Sequence, residues 1–180
     1  MKKIFIAGAV ALFGAVNAQS FGVKAGLNIT NITNLEADAK VGFHAGAFMN
    51  MPLASSFSIQ PEVLYNGKGA KDGDASVNLD YISVPVMFQY NAMPNLYLEA
   101  GPEFSFLVSA KAKANSVSLD IDDAVKSFDF GVGIGAGYYF TPNIGVNLRY
   151  VAGFTDAWED NFTDDAYLNG AFQAGLSYKF

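Results

Sequence analysis

Residues 128–140 read FDFGVGIGAGYYF and alternate strictly between two kinds of side chain. Every second residue, beginning with Phe128, is apolar or aromatic, and the positions between hold Asp129, four glycines and Tyr139. Successive side chains of a β-strand point to opposite faces of a sheet, so this period of two predicts a strand with one apolar face. The glycines leave the other face narrow, which favours a strand that borders a crowded interior.

The same alternation occurs in seven other stretches of the chain. We therefore predict eight strands, at residues 21–29, 41–51, 57–66, 82–90, 96–108, 128–140, 144–154 and 168–180. Long polar segments, at 30–40, 67–79, 111–126 and 155–167, alternate with short turns at 52–56, 91–95 and 141–143. The short turns are rich in Pro, Asn and Ser, which favour turns. Long loops at one end and short turns at the other are typical of outer-membrane barrels.

The apolar face of these strands fits two architectures, since alternation alone does not say whether it points inward or outward. A soluble barrel buries that face, whereas a membrane barrel turns it towards lipid. Predicted strands of about 9–11 residues match a tilted crossing of the hydrocarbon core. Tyrosines near strand ends on the apolar face favour the membrane, because the ring lies in the interface and the hydroxyl reaches water. These predicted interface aromatics are Tyr65, Tyr90, Tyr138, Tyr150 and Tyr178.

The N-terminal residues have the pattern of a secretory signal peptide. Lys2 and Lys3 precede an apolar run at 4–16, and small residues at Val16 and Ala18 suit a signal peptidase. The run is too short to cross a bilayer, which needs about 20 apolar residues. We predict a cleaved signal peptide at 1–18 and one barrel domain at 19–180.

The composition limits the function classes. The chain has 180 residues, no cysteine and a formal net charge of −6, which disfavours a nucleic-acid partner. It contains 16 Phe, 9 Tyr and 18 Gly. An acidic cluster occurs in two of the polar segments, and we interpret both as solvated loops rather than calcium sites, because the glycine-containing calcium-loop spacing is absent. No catalytic residue, cofactor or metal is predicted.

Three segments carry a family resemblance: QPEVLYNGKGAK at 60–71, LDYISVPVMFQY at 79–90 and NLYLEAGPEFSFLVSAK at 95–111. In this order they resemble the porin-family outer-membrane β-barrel proteins of the PorT-like group. The resemblance covers nearly the whole predicted mature chain and implies the fold and the outer-membrane location. It does not imply transport. The final aromatic residue, Phe180, resembles the sorting signal read by the barrel-assembly machinery.

The inner face of an eight-stranded barrel encloses just enough room for side chains. Four acids, three bases and one histidine lie on the predicted inner face, and their near balance predicts a salt-bridged plug. We expect a filled, poorly conducting barrel, with an open pore as the alternative. The glycines at 131–137 leave room for Arg149 or Tyr139 to lie across the lumen. The predicted charge network comprises Lys24, His44, Glu62, Glu99, Glu103, Asp129, Arg149 and Lys179.

The single histidine suggests a second alternative, an enzyme that modifies lipids. Such chemistry needs a base beside a nucleophile, and Ser58 and Glu62 share the inferred face of His44 on the neighbouring strand. No nucleophile motif surrounds His44, so we favour a structural histidine paired with a lumen carboxylate.

The function that we favour from the sequence is a structural or interaction barrel of the outer membrane. We expect it to be an all-β, eight-stranded antiparallel up-and-down barrel and a monomer. Its expected partners are outer-membrane lipid and lipopolysaccharide, together with the assembly machinery during biogenesis. The alternatives are a small pore, a lipid-modifying enzyme and a soluble β-barrel binder.

Overall fold

The computed structural model describes residues 19–32, 38–72, 75–114, 117–121, 125–156 and 168–180. The predicted signal peptide, residues 1–18, and residues 157–167 of the fourth predicted loop lie outside the described residues. No helix in the described part of the chain is long and apolar enough to cross a membrane. Its strands are β1 (Ser20–Ile32), β2 (Asp38–Ala54), β3 (Phe57–Asp72), β4 (Ala75–Met93), β5 (Leu96–Ala114), β6 (Val117–Asp120), β7 (Phe128–Tyr139), β8 (Ile144–Asp156) and β9 (Leu168–Lys179).

Eight of these strands form one closed antiparallel barrel, as predicted. Each pairs with the next along the chain, except that β5 passes to β7, and β1 pairs with β9 to close the ring. The short strand β6 pairs only with the far end of β5, at Lys111–Ala114. Closure gives every strand two hydrogen-bonded neighbours, which removes the exposed edges that a membrane does not tolerate.

Six of the eight barrel strands extend beyond their predicted bounds, and the predicted loop at 67–79 is wrong. β3 and β4 remain paired as far as Asp72 and Ala75. Part of the predicted loop at 111–126 forms the pair of β5 and β6. Polar residues can continue these strands because the hydrogen bonds between strands are made by the backbone and do not require alternating side chains. An extra residue in β5, Val108, also shifts the register and breaks the alternation there.

The apolar face points outward, which is the arrangement of a membrane barrel. Leu27 and Ile134 are each 59% exposed, whereas the inward-facing Lys24 is 4% and Arg149 is 2% exposed. The soluble barrel, which would bury the apolar face, is therefore excluded.

The five predicted interface tyrosines divide into two groups on this outer face. Tyr90, Tyr138 and Tyr178 lie beside the short turns and are 45–46% exposed, as an interfacial girdle requires. Tyr65 and Tyr150 lie near the middle of β3 and β8 rather than at strand ends. β3 continues past its predicted end at 66, and Tyr150 already lay inside the predicted strand at 144–154, so these two positions are not terminal.

An apolar cluster lies on the inner side of the barrel wall at the end opposite the short turns. Val125, between β6 and β7, is buried against inward-facing residues of β3, β4 and β5. We call this cluster the apolar cap, and its buried members are Ala70, Leu79, Tyr81, Ala110 and Val125. The cap lies above the charged groups of the lumen.

Candidate functional site: the side-chain network of the lumen

Four charged side chains form what we call the lower cluster, in the half of the lumen nearer the short turns. Arg149 donates from Nη1 to Glu62 Oε2 at 3.0 Å and from Nη2 to Glu62 Oε1 at 2.8 Å. Its Nε donates to Glu99 Oε1 at 2.8 Å. Lys24 Nζ lies 2.8 Å from Glu62 Oε1, and Gln60 donates to the same oxygen at 2.8 Å. Two cations thus face two carboxylates with close, bidentate geometry, which is the strong form of such contacts.

The glycines of β7 make the room that Arg149 needs. A side chain at Gly133 would come within 3.4 Å of Arg149 Cδ, and one at Gly135 within 3.1 Å of a Glu99 carboxylate oxygen. Nearer the short turns, a side chain at Gly137 would overlap the ring of Tyr97. Arg149 therefore occupies the space that the glycines leave, as expected. Tyr97, rather than Tyr139, occupies the part of that space nearer the short turns.

A second group, the upper cluster, lies nearer the apolar cap. Lys68 Nζ is 3.3 Å from Glu103 Oε1 and 3.3 Å from Asp129 Oδ2. Asn169 also donates to Asp129 Oδ2, at 3.1 Å. Glu103 Oε2 and Asp129 Oδ1 are buried without a hydrogen-bond partner among the described residues. One ammonium group therefore serves two carboxylates here.

Lys68 was not predicted, because it lies in a segment assigned to a loop. Alternation from Glu62 nevertheless continues through Leu64 and Asn66 to Lys68 on the same buried face. If the predicted strand at 57–66 had been extended by two residues, Lys68 would have been predicted to face the lumen.

Neutral polar side chains lie between the two clusters and bond to the upper one. Asn66 donates to Ser83 at 2.9 Å, and Ser83 lies 2.7 Å from the hydroxyl of Ser105. Ser105 donates to Glu103 at 3.3 Å, and Gln173 donates to Asn66 at 3.1 Å. The buried polar groups between the clusters thus satisfy one another, which removes most of the cost of burying them.

His44 joins these neutral groups and does not pair with a carboxylate. Its Nδ1 lies 2.7 Å from Asn28 Oδ1. The expected pairing with a lumen carboxylate is wrong because the register places His44 opposite Asn66, four residues beyond Glu62 along β3. His44 is 1% exposed. It therefore has a structural environment rather than that of a base beside a nucleophile.

Lys179 lies apart from both clusters, contrary to the expected network. It is half-buried at the short-turn end, with Nζ 4.3 Å from the centre of the Tyr139 ring. Among the described residues no carboxylate lies within ion-pair distance of it. The predicted network thus divides into two separate groups, with Lys179 outside both. Phe180, just beyond it, is 73% exposed and donates its backbone N–H to Phe21.

The chemical consequence of this arrangement is obstruction of the lumen. Arg149 on β8 and Glu62 on β3 stand on opposite walls, so their paired hydrogen bonds cross the diameter of the barrel. Among the described residues no group of three or more His, Cys, Asp or Glu side chains could hold a metal ion.

Comparison with known proteins supports the fold and the location. The structure of Neisserial surface protein A has a TM-score of 0.59 at 14% identity, covering 90% of this chain and 97% of that one. Ail, the attachment invasion locus protein of Yersinia pestis, has a TM-score of 0.56 at 14% identity with the same coverage. Ail in complex with the heparin analogue sucrose octasulfate gives 0.53 at 15% identity, again with that coverage. At these identities the likeness shows the fold alone.

No curated protein matches this sequence. A family model described as the outer membrane protein beta-barrel domain matches residues 17–159. That match covers most of the chain and agrees with the outward apolar face and the closed barrel. The chain therefore belongs to the outer membrane protein β-barrel domain family and is an integral protein of the outer membrane.

Proposed function

We propose that this protein is a structural or interaction barrel with a sealed lumen, which acts through its outer surface and its extracellular loops. The observation that carries the proposal is the lower cluster, where Arg149 binds Glu62 and Glu99 across the barrel at 2.8–3.0 Å. The apolar cap supports it, because apolar side chains packed inside the wall beyond the charged groups disfavour the passage of ions.

The test of the sealed lumen is single-channel recording with the purified protein in planar bilayers. We expect no steady conductance steps, while a general porin reconstituted in the same way gives large ones. Steady large steps from this protein would overturn the sealed barrel and favour the small pore. Heat-modifiable migration on gels confirms that the inserted protein is folded.

The sequence of the fourth polar segment indicates the kind of partner. Residues 155–167 include five acids, Asp156, Glu159, Asp160, Asp164 and Asp165, and no lysine or arginine. An acidic surface repels polyanions, so we expect a cationic or neutral partner rather than a sulfated glycan. The complex of Ail with sucrose octasulfate is accordingly not carried over to this chain.

We further propose that the barrel is a monomer embedded in outer-membrane lipid and lipopolysaccharide, delivered by the barrel-assembly machinery with Phe180 in its recognition signal. Chemical cross-linking in intact outer membranes tests the first part, since a monomer gives no discrete dimer band. Assignment to the PorT-like group is also proposed, on the three segments at 60–71, 79–90 and 95–111.

A non-enzymatic role is part of the proposal. His44 is enclosed by the barrel wall and bonded to Asn28, out of reach of a lipid substrate. We expect His44→Ala to leave the lipid composition of the outer membrane unchanged. Loss of a modified lipid species in that variant, with barrel folding retained, would favour the enzyme instead.

A further inference from the structure

A polar cavity of about 160 Å³ lies at the mouth of the barrel at the short-turn end, which faces the periplasm in this class of barrel, and is bordered by the turn residues Pro94, Asn95, Thr141 and Pro142. Its lining includes Asn50, Gln89, Asn91, Tyr97, Tyr139 and Lys179. A water molecule occupies about 30 Å³ of liquid, so the cavity has room for about five waters, or one sugar ring or small amino-acid residue. We call it the periplasmic vestibule.

The vestibule ends at the lower cluster and is therefore a blind pocket. Asn50 donates to Gln89 Oε1 at 2.8 Å, and Gln89 donates to Glu99 Oε2 at 3.1 Å. Glu99 is held in turn by Arg149 at 2.8 Å. A molecule that enters from the periplasm thus meets a closed wall of hydrogen-bonded side chains.

The charge of the vestibule comes from one residue. Its lining contains no Asp or Glu, and Lys179 is its single cation. The ring of Tyr139 compensates this ammonium only partly, since a cation–π contact is weaker than a close ion pair in a half-buried site. The vestibule therefore offers a positive charge that no described carboxylate neutralises.

The position of Lys179 is built into the structure. Its backbone N–H donates to Asn143 O at 2.7 Å, and its backbone carbonyl accepts from Asn143 Nδ2 at 2.6 Å. Tyr139 packs against Tyr97 with ring centres 5.9 Å apart. A side chain at Gly137 would overlap Tyr97, so this glycine is required for the aromatic wall.

Neutral polar side chains accompany the positive charge. Asn91 and Asn95 line the cavity, whereas the amides of Asn50 and Gln89 already donate to Gln89 and Glu99 in its closed wall. An ammonium group without an ion-pair partner among the described residues suits an acceptor that carries negative charge.

From these observations we propose that the periplasmic vestibule binds a small carboxylate, with Lys179 pairing with the carboxylate and the side chains of Asn91 and Asn95 contacting its polar body. Two sources have this chemistry and fit the volume: an acidic sugar and the carboxyl end of a short peptide. The proposal is independent of the sealed lumen, because the ligand enters and leaves on the same side.

The test uses two matched probe pairs, D-galacturonate with D-galactose and alanyl-alanine with its C-terminal amide. Binding to the folded barrel in detergent micelles is followed by NMR shifts of backbone amides around Lys179. We expect at least one carboxylate probe to bind at least 10-fold more tightly than its neutral partner. Binding of only the sugar acid or only the dipeptide supports the proposal and identifies the source.

Three variants separate this site from general charge effects. Lys179→Met should weaken binding of the carboxylate probe at least 10-fold, whereas Lys179→Arg should retain it. Lys111→Met removes an exposed lysine at the opposite end of the barrel and should change nothing. Equal binding of charged and neutral probes, no binding of either carboxylate, or full binding by a folded Lys179→Met barrel would each overturn the proposal.

Discussion

The two charged clusters of the lumen use the same kinds of side chain and differ in how completely charge is matched. The lower cluster sets two cations against two carboxylates at ion-pair distances of 2.8 Å. The upper cluster sets Lys68 against two carboxylates at 3.3 Å and leaves one oxygen of each without a hydrogen-bond partner in the described part of the chain. The barrel is therefore tied across its diameter most firmly in its lower half.

This difference shows that charge balance alone does not define a plug. Burying ions is costly unless geometry and hydrogen bonding compensate for lost hydration. In the lower cluster a planar guanidinium meets Glu62 with two parallel hydrogen bonds. In the upper cluster a single ammonium is shared, so each contact is longer. The predictions below separate the two arrangements by their stability.

The largest effect is expected from Arg149→Met, which leaves Glu62 and Glu99 buried without their shared cation. Breaking a buried ion pair by removing one partner costs about 3–5 kcal/mol. We expect a loss of that size in the free energy of unfolding, measured by urea titration of the barrel in lipid vesicles. The same variant should also admit small cations in planar bilayers.

Two companion variants control for this result. Arg149→Lys keeps the charge but not the paired hydrogen bonds. Its free energy of unfolding should lie between those of Arg149→Met and the wild type. Adding Glu99→Gln to Arg149→Met removes the carboxylate that is left without a cation, while Glu62 keeps its ion pair with Lys24, and should restore part of the stability. An Arg149→Met barrel as stable as the wild type would show that the lower cluster does not hold the lumen together.

Lys68→Met tests the upper cluster and should cost less. Hydrogen bonds to charged groups contribute about 1.5–3 kcal/mol, and the contacts of Lys68 are longer than those of Arg149. We expect a loss of about 2 kcal/mol in the same urea titration. A loss equal to or larger than that of Arg149→Met would reverse the comparison between the clusters.

The sequence predicted the eight wall strands and their two faces because alternation is a local property. It missed Lys68, since the strands that hold it continue into a segment whose composition is that of a loop. It also misassigned the partner of His44, because side-chain pairing depends on register between strands, here the opposition of His44 and Asn66. Lys179 shares the inner face but lies outside both clusters. Alternation did not predict this, because it indicates the face on which a residue lies and not its position along the barrel axis.

A smaller effect is expected from Gly137→Ala, beside the lower cluster. The added Cβ would lie 2.3 Å from the Tyr97 ring, which must move. Overpacking of this kind costs about 1–3 kcal/mol, and we expect the low end because a ring edge moves more easily than backbone. Gly133→Ala is the matched control, since its nearest neighbour is the flexible end of Met87 at 3.2 Å. Equal stabilities of the two variants would contradict tight packing at Gly137.

The smallest effect is expected from Asp129→Asn, which most directly tests the difference in charge matching. The substitution leaves Lys68 paired with Glu103 and brings the upper cluster to formal neutrality. The relieved repulsion between carboxylates offsets the weakened contact with Lys68, so we expect the free energy of unfolding to change by less than about 1 kcal/mol. The matched Glu62→Gln in the balanced lower cluster leaves an excess of buried positive charge and should cost about 3 kcal/mol. Equal losses in the two variants would mean that the upper cluster holds no excess of negative charge, and the comparison between the clusters would then rest on contact distance alone.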